Sequence, residues 1–86
     1  MSGDLNIKGK ILMFIKDNFI KNTGIIIKEN TSFLDEGIID STGVLELVAY
    51  IETTFKIKIE DEEIMPENFD SIKKLVDFVK NKLNRD

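Results

Sequence analysis

Three apolar stripes at helical spacing, separated by one long aperiodic stretch, constrain this chain more than any other feature. The cleanest runs Val44, Leu47, Val48, Ile51 and Phe55, positions that share one face of a single helix. A second comprises Ile7, Ile11, Phe14, Ile15 and Phe19, with Leu12 at its edge, and a third Ile72, Leu75, Val76, Val79 and Leu83. Each stripe can leave water only by packing against the others. Ser2 or Asp4 is placed to cap the first helix, Asp40 and Ser41 the second, and Asp70 or Ser71 the last, because their side-chain oxygens accept first-turn amides. The stretch "KIKIEDEEIMPENFDS" adds a short helical turn beginning at Asp61, where Glu62 and Glu63 suit a positive helix end. Pro66 prevents a long helix there. The predicted fold is all-α: a small four-helix bundle with three long helices, one short helix and a long first loop.

That loop runs from Asn22 to Ile39, where helical periodicity fails. "KNTG" breaks the first helix, "KENTS" reads as a turn, and Gly37 supplies freedom before Ile38 and Ile39. Ile25 to Ile27 have strand-like composition but no partner strand, and an isolated strand leaves its backbone groups unsatisfied. Phe33, Leu34, Ile38 and Ile39 are therefore expected to fasten the loop to the core. Connections of this length in small domains usually carry function.

The 86 residues, 42% of them hydrophobic, suffice for one core without covalent staples, so a single domain over residues 1–86 is expected. The chain has no cysteine, which excludes disulfides and thiolate metal sites and fits a reducing cytoplasm. No apolar run approaches the roughly 18 residues that span a bilayer, and no signal-peptide layout opens the chain. A soluble, cytoplasmic monomer is the expectation. Net charge is -4, spread unevenly: Lys8, Lys10, Lys16, Lys21 and Lys28 outweigh Asp4 and Asp17, while residues 29–86 are strongly acidic. The acidic body repels phosphate backbones and the lysines lack aromatic interleaving, so nucleic-acid binding, including a helix-turn-helix role, is disfavoured. The acidity serves solubility or forms a docking face for basic partners.

One dipeptide stands out chemically. Asp40 and Ser41 open the best helix of the chain, and taken alone such a pair reads as a cap. Hydrolytic use of the serine is set aside. The chain has no histidine to take its proton, no lysine lies near Ser41 in sequence to serve in its place, and no strand-turn-helix elbow surrounds it. Asp35, Glu36 and Asp40 cluster without calcium-loop spacing, so no metal site is expected. What remains is a modified serine: a helix start offers unpaired amides and a positive dipole end to an attached phosphate.

"FLDEGIIDSTGVLELVAYIETTFKIKIEDEEI", followed by "NFDSIKKLVDFV", resembles the acyl carrier and peptidyl carrier protein family from about Ile7 to Leu83. The resemblance implies that Ser41 carries 4'-phosphopantetheine through a phosphodiester, transferred from coenzyme A by a magnesium-dependent phosphopantetheinyl transferase. It implies that Asp40 helps the transferase to position the serine. It also implies a carrier rather than an enzyme, holding acyl or aminoacyl groups as thioesters. A chain without cysteine has no thiol of its own, so the arm would supply it.

The outward face of the second helix carries Thr42, Leu45, Glu46, Ala49 and Thr53, less charged than a merely solvated face would be. With Glu60, Asp61, Glu62 and Glu63 these residues form the expected partner surface. Relatives commonly place Leu or Met where Thr42 stands. That departure and the sparse acids favour a specialised carrier served by an acyl- or aminoacyl-adenylating ligase, with condensing or transferring enzymes as further partners. A D-alanyl carrier protein is an alternative. So is a plain helical interaction domain in which Asp40 and Ser41 only cap.

Overall fold

A computed structural model of the protein describes residues 2–85, with side chains from residue 6 to residue 84. The caps expected at Ser2 or Asp4 lie outside the described side chains. Among the described residues there are four α-helices and no strand: α1 (Ser2–Phe19), α2 (Ser41–Phe55), α3 (Pro66–Phe69) and α4 (Ile72–Arg85). α1 packs against both α4 and α2, and α3 leans on α4. The three predicted stripes meet in one core in which Ile11, Ile15, Leu47, Ile51, Leu75 and Val79 are fully enclosed. Phe14, Phe19, Val44, Phe55 and Val76 flank that core, half-buried. The described residues include no helix long and apolar enough to cross a membrane.

Three expectations need correction. The short helical turn expected at Asp61 is present, but a second short helix follows it that the sequence reading did not place. Asp61–Glu63 is a 3-10 turn, closed by Ile64 N–H donating to the Asp61 carbonyl, and α3 starts separately at Pro66. Proline tolerates the first helical position, where its missing N–H has no acceptor to lose. It also forces the preceding residue to be extended, and Met65 accordingly sits at φ -145° and ψ 158°. Pro66 thus opens one helix as well as ending another turn. The second correction is Leu83, which is 42% exposed. Helical spacing assigns a direction but not a neighbour, and the last turn of α4 extends beyond the enclosed part of the core. Phe78, outside the predicted stripe, is buried instead and meets Phe69 at 5.3 Å between ring centroids. The third is Leu34, which is 55% exposed rather than packed inward.

The loop between α1 and α2 is held at both ends and in the middle. Phe33, Ile38 and Ile39 are buried, as expected. Lys73 N–H donates to the Glu29 carbonyl at 3.0 Å, and the Lys8 ammonium donates to the Glu29 carboxylate at 2.6 Å. The Lys8 hydrogen bond, with its charge, holds the Glu29 carboxyl below the ordinary glutamate range. α2 stops at Lys56, which adopts a left-handed conformation (φ 57°), and Glu52 then accepts the Ile59 amide at 2.8 Å. Ser71, rather than Asp70, caps α4: its hydroxyl accepts the Lys74 amide at 3.2 Å.

Candidate functional site

Asp40 is extended (φ -99°, ψ -174°), and its carboxylate accepts the Gly43 amide at 2.7 Å. Its carbonyl accepts the Val44 amide at 2.9 Å. Asp40 is therefore the N-cap and Ser41 the first helical residue, exposed to solvent. The earliest amides of a helix have no intrahelical acceptor. With Gly43 served by Asp40, those of Ser41 and Thr42 stand beside the serine hydroxyl. A phosphodiester on that oxygen would meet amide donors and the positive end of α2. The residues present fit a phosphate-linked group, and Ser41 is exposed to receive it.

Gly43 explains how the helix start is seated. A Cβ there would lie 2.8 Å from Cε1 of Phe19 and 3.0 Å from Cγ2 of Ile39. Glycine lets the first turn of α2 press against the end of α1 and the last buried residue of the loop. The sequence marks this position only as a glycine in a good helix, where it costs roughly 1 kcal/mol relative to alanine. A helical glycine that is not at a cap is the signal that could have revealed it.

Ser41 also stands at the rim of an apolar cavity of about 430 Å³. Phe33 and Leu34 of the loop line it, with Ile64, Met65, Pro66, Phe69 and Asp70 from the stretch that leads into α4. Ile39, Asp40, Ser41, Val44 and Leu45 from the start of α2 complete the lining. Leu45 is 64% exposed and Met65 39% exposed, so large apolar side chains reach solvent around a mainly apolar lining that also includes Asp40, Ser41 and Asp70. Helical periodicity placed Leu45 outward; it gave no sign of the cavity.

The expected partner surface divides. Thr42, Leu45, Glu46, Ala49 and Thr53 are all exposed on the outward side of α2. Glu60, Asp61 and Glu62 are exposed too. Glu63 differs from them: its carboxylate meets the Lys82 ammonium at 2.7 Å and accepts the Glu60 amide at 2.9 Å, with its side chain only 19% exposed. It closes the 3-10 turn onto α4, where Lys82 also lies over the Phe78 ring. No cluster suited to a metal ion occurs among the described residues.

Residues 14–79 match the family described as "Phosphopantetheine attachment site". The chain belongs to that family. It is a carrier protein rather than an enzyme, and 4'-phosphopantetheine is the group for which the family is named. It is similar to the acyl carrier protein of Buchnera aphidicola subsp. Schizaphis graminum, with 39% identity over 65% of this chain and 68% of that one. It is also similar to the D-alanyl carrier protein of Streptococcus uberis, with 36% identity over 67% of this chain and 72% of that one. Among solved structures, the acyl carrier protein of Thermotoga maritima superposes with a TM-score of 0.65 and 29% identity, covering 92% of this chain and 93% of that one. Family membership removes the reading of a plain interaction domain, and it implies partner enzymes that act on the carried group.

Proposed function

We propose that Ser41 is the attachment point of the phosphopantetheine arm, that Asp40 positions it for the transferase, and that the arm carries an acyl group. The single carrier domain spans residues 1–86 in this reading. The observation that supports an acyl cargo is the apolar cavity with Ser41 in its wall. An arm anchored at the rim needs only to fold back for a hydrocarbon chain to reach the lining. Burying a methylene there is favourable by about 0.8 kcal/mol. A D-alanyl group, short and carrying an ammonium, gains nothing from such a lining and pays desolvation to approach it. Similarity to D-alanyl carriers keeps that cargo as the second reading, and the cavity favours the first.

The exposed Thr42, Leu45 and Ala49 suit a partner with a small hydrophobic pocket better than one with a basic patch. A dedicated acyl-adenylating ligase, in a specialised pathway, is the partner this surface would fit. Glu60, Asp61 and Glu62 add charge beside it and would raise the association rate of a basic partner at low salt.

Incubation with coenzyme A and a broad-specificity phosphopantetheinyl transferase tests the attachment point. One arm should add to the unaltered protein and none to Ser41→Ala; labelling of the alanine variant would sink the assignment. The holo-protein is then offered to an acyl-adenylating ligase, a D-alanine-adenylating ligase and fatty-acid-synthesis enzymes side by side. Thioester formation should be fastest with the acyl ligase, and Leu45→Asp should slow it without unfolding the domain. Preferential charging with D-alanine would replace the acyl reading.

A further inference from the structure

The lining of the cavity comes from separate stretches of chain, and two of them are joined through one residue. Asp70, at the junction of α3 and α4, accepts the Ser32 hydroxyl on Oδ2 at 2.5 Å and the Leu34 amide on Oδ1 at 2.9 Å. Its backbone carbonyl accepts the Phe33 amide at 2.8 Å. The Ser32 hydroxyl in turn accepts the Asp35 amide at 3.1 Å. Hydrogen bonds to an ionised carboxylate are the stronger kind, and these join residues that are 38 and 36 positions apart.

Asp70 does not cap the helix it precedes, since Ser71 does so. Its carboxylate instead joins the loop to the α3–α4 junction. Asp70 and Phe69 beside it line the cavity, and so do Phe33 and Leu34 from the loop. The backbone of Leu34 is thereby fixed with its side chain 55% exposed at the rim. Apolar packing alone would favour drawing that side chain in and closing the gap.

We propose that Asp70 is a specificity-determining residue. By clamping Ser32 to Leu34 onto the start of α4, it fixes the width of the cavity and so the length of acyl chain that is shielded. The inference rests on the acyl reading above. In the clamped protein a medium chain fits between the walls and its thioester is withdrawn from water. With the clamp cut, the walls part, the medium chain loses its close contacts, and a longer chain is accommodated.

Holo-protein carrying butanoyl, octanoyl or dodecanoyl thioesters provides the test, read as the rate of thioester cleavage by hydroxylamine. Hydrogen exchange of the Phe33 and Leu34 amides is followed on the unloaded protein. The unaltered protein should protect octanoyl best. Asp70→Ala should reduce that protection, lessen the gap between octanoyl and dodecanoyl, and speed exchange at Leu34 by about tenfold, the scale of one lost hydrogen bond to a charged acceptor. Asp70→Asn keeps an acceptor for the Leu34 amide and should restore part of the unaltered profile. A chain-length profile that Asp70→Ala leaves unchanged, although Leu34 exchanges faster, overturns the inference and leaves the acyl reading standing. A flat profile in the unaltered protein sinks the acyl reading and the clamp together. Should Asp70→Ala not fold, Ser32→Ala and Asp70→Asn carry the test: a partial shift in the same direction supports the clamp, and no shift in either overturns it.

Discussion

The seam between α1 and α4 and the start of α2 are built from similar residues but packed to opposite ends. At the seam, Ile11, Ile15, Leu75 and Val79 are wholly enclosed. At the start of α2, Leu34, Leu45 and Met65 are 55%, 64% and 39% exposed around an apolar cavity of about 430 Å³. The seam holds the fold, and the region around Ser41 is left unfilled. In the acyl reading proposed above, the site must present apolar walls with no side chain filling the space between them. That forgoes packing energy, which the seam has to supply. Natural proteins commonly accept lower stability at functional sites.

Truncation should separate the two regions most widely. Ile11→Ala or Leu75→Ala should cost about 2–5 kcal/mol in urea unfolding, the range for buried aliphatic truncations. Leu45→Ala should cost far less, and Ser41→Ala should leave stability unchanged while abolishing attachment. Comparable losses at Leu75 and Leu45 would break the contrast.

Gly43 lies where the two regions touch. The Cβ of Gly43→Ala must displace the Phe19 ring and the Ile39 methyl, and overpacking of this kind costs about 1–3 kcal/mol. Better helix propensity returns roughly 1 kcal/mol of that. Net destabilisation with slower attachment at Ser41 is the expected result of thermal melting and labelling together. A stabilised variant would show that the close approach is soft.

A smaller effect belongs to Asp40. Asp40→Ala should lose about 1 kcal/mol through the cap. Asp40→Asn can still accept the Gly43 amide and should melt near the unaltered protein, yet accept the arm more slowly. Equal labelling rates would confine Asp40 to capping.

The smallest effect lies at the surface, where Lys8 ties the loop to α1 through Glu29. Because the folded carboxyl is held below its ordinary range, the tie contributes above that range and fades as pH falls through the lowered folded value. Unaltered protein and Glu29→Gln should differ slightly at neutral pH and converge in acid. Both groups are exposed, so salt should shrink the difference too. A gap that persists in acid would assign the effect to something other than the carboxylate's charge.

Much of the site could be read along the chain because its signals are local. An Asp-Ser pair before a clean amphipathic stripe places Asp40 as cap and Ser41 as first helical residue, and the same stripe turns Leu45 outward. The misread elements involve neighbours distant in sequence. Leu83 has the right spacing without a wall to meet, and Leu34 is apolar yet stays at the rim because Asp70 holds its backbone. Glu63 looks like one more surface acid until Lys82, far along the chain, closes on it. Pro66 reads as a breaker, although its ring suits a helix start as well as a stop.

The sequence by itself determined the all-α class, the core-facing side of the three long helices and the place of Ser41 at a helix start, since periodicity and capping depend on residues a few positions apart. Tertiary structure alone decided that a cavity opens beside that serine, that Gly43 admits the end of α1, and that Asp70 reaches across to Ser32 and Leu34. Those features arise where α2, α3 and the loop converge. Side-chain volumes and donor-acceptor pairs there are matched only after the chain has folded.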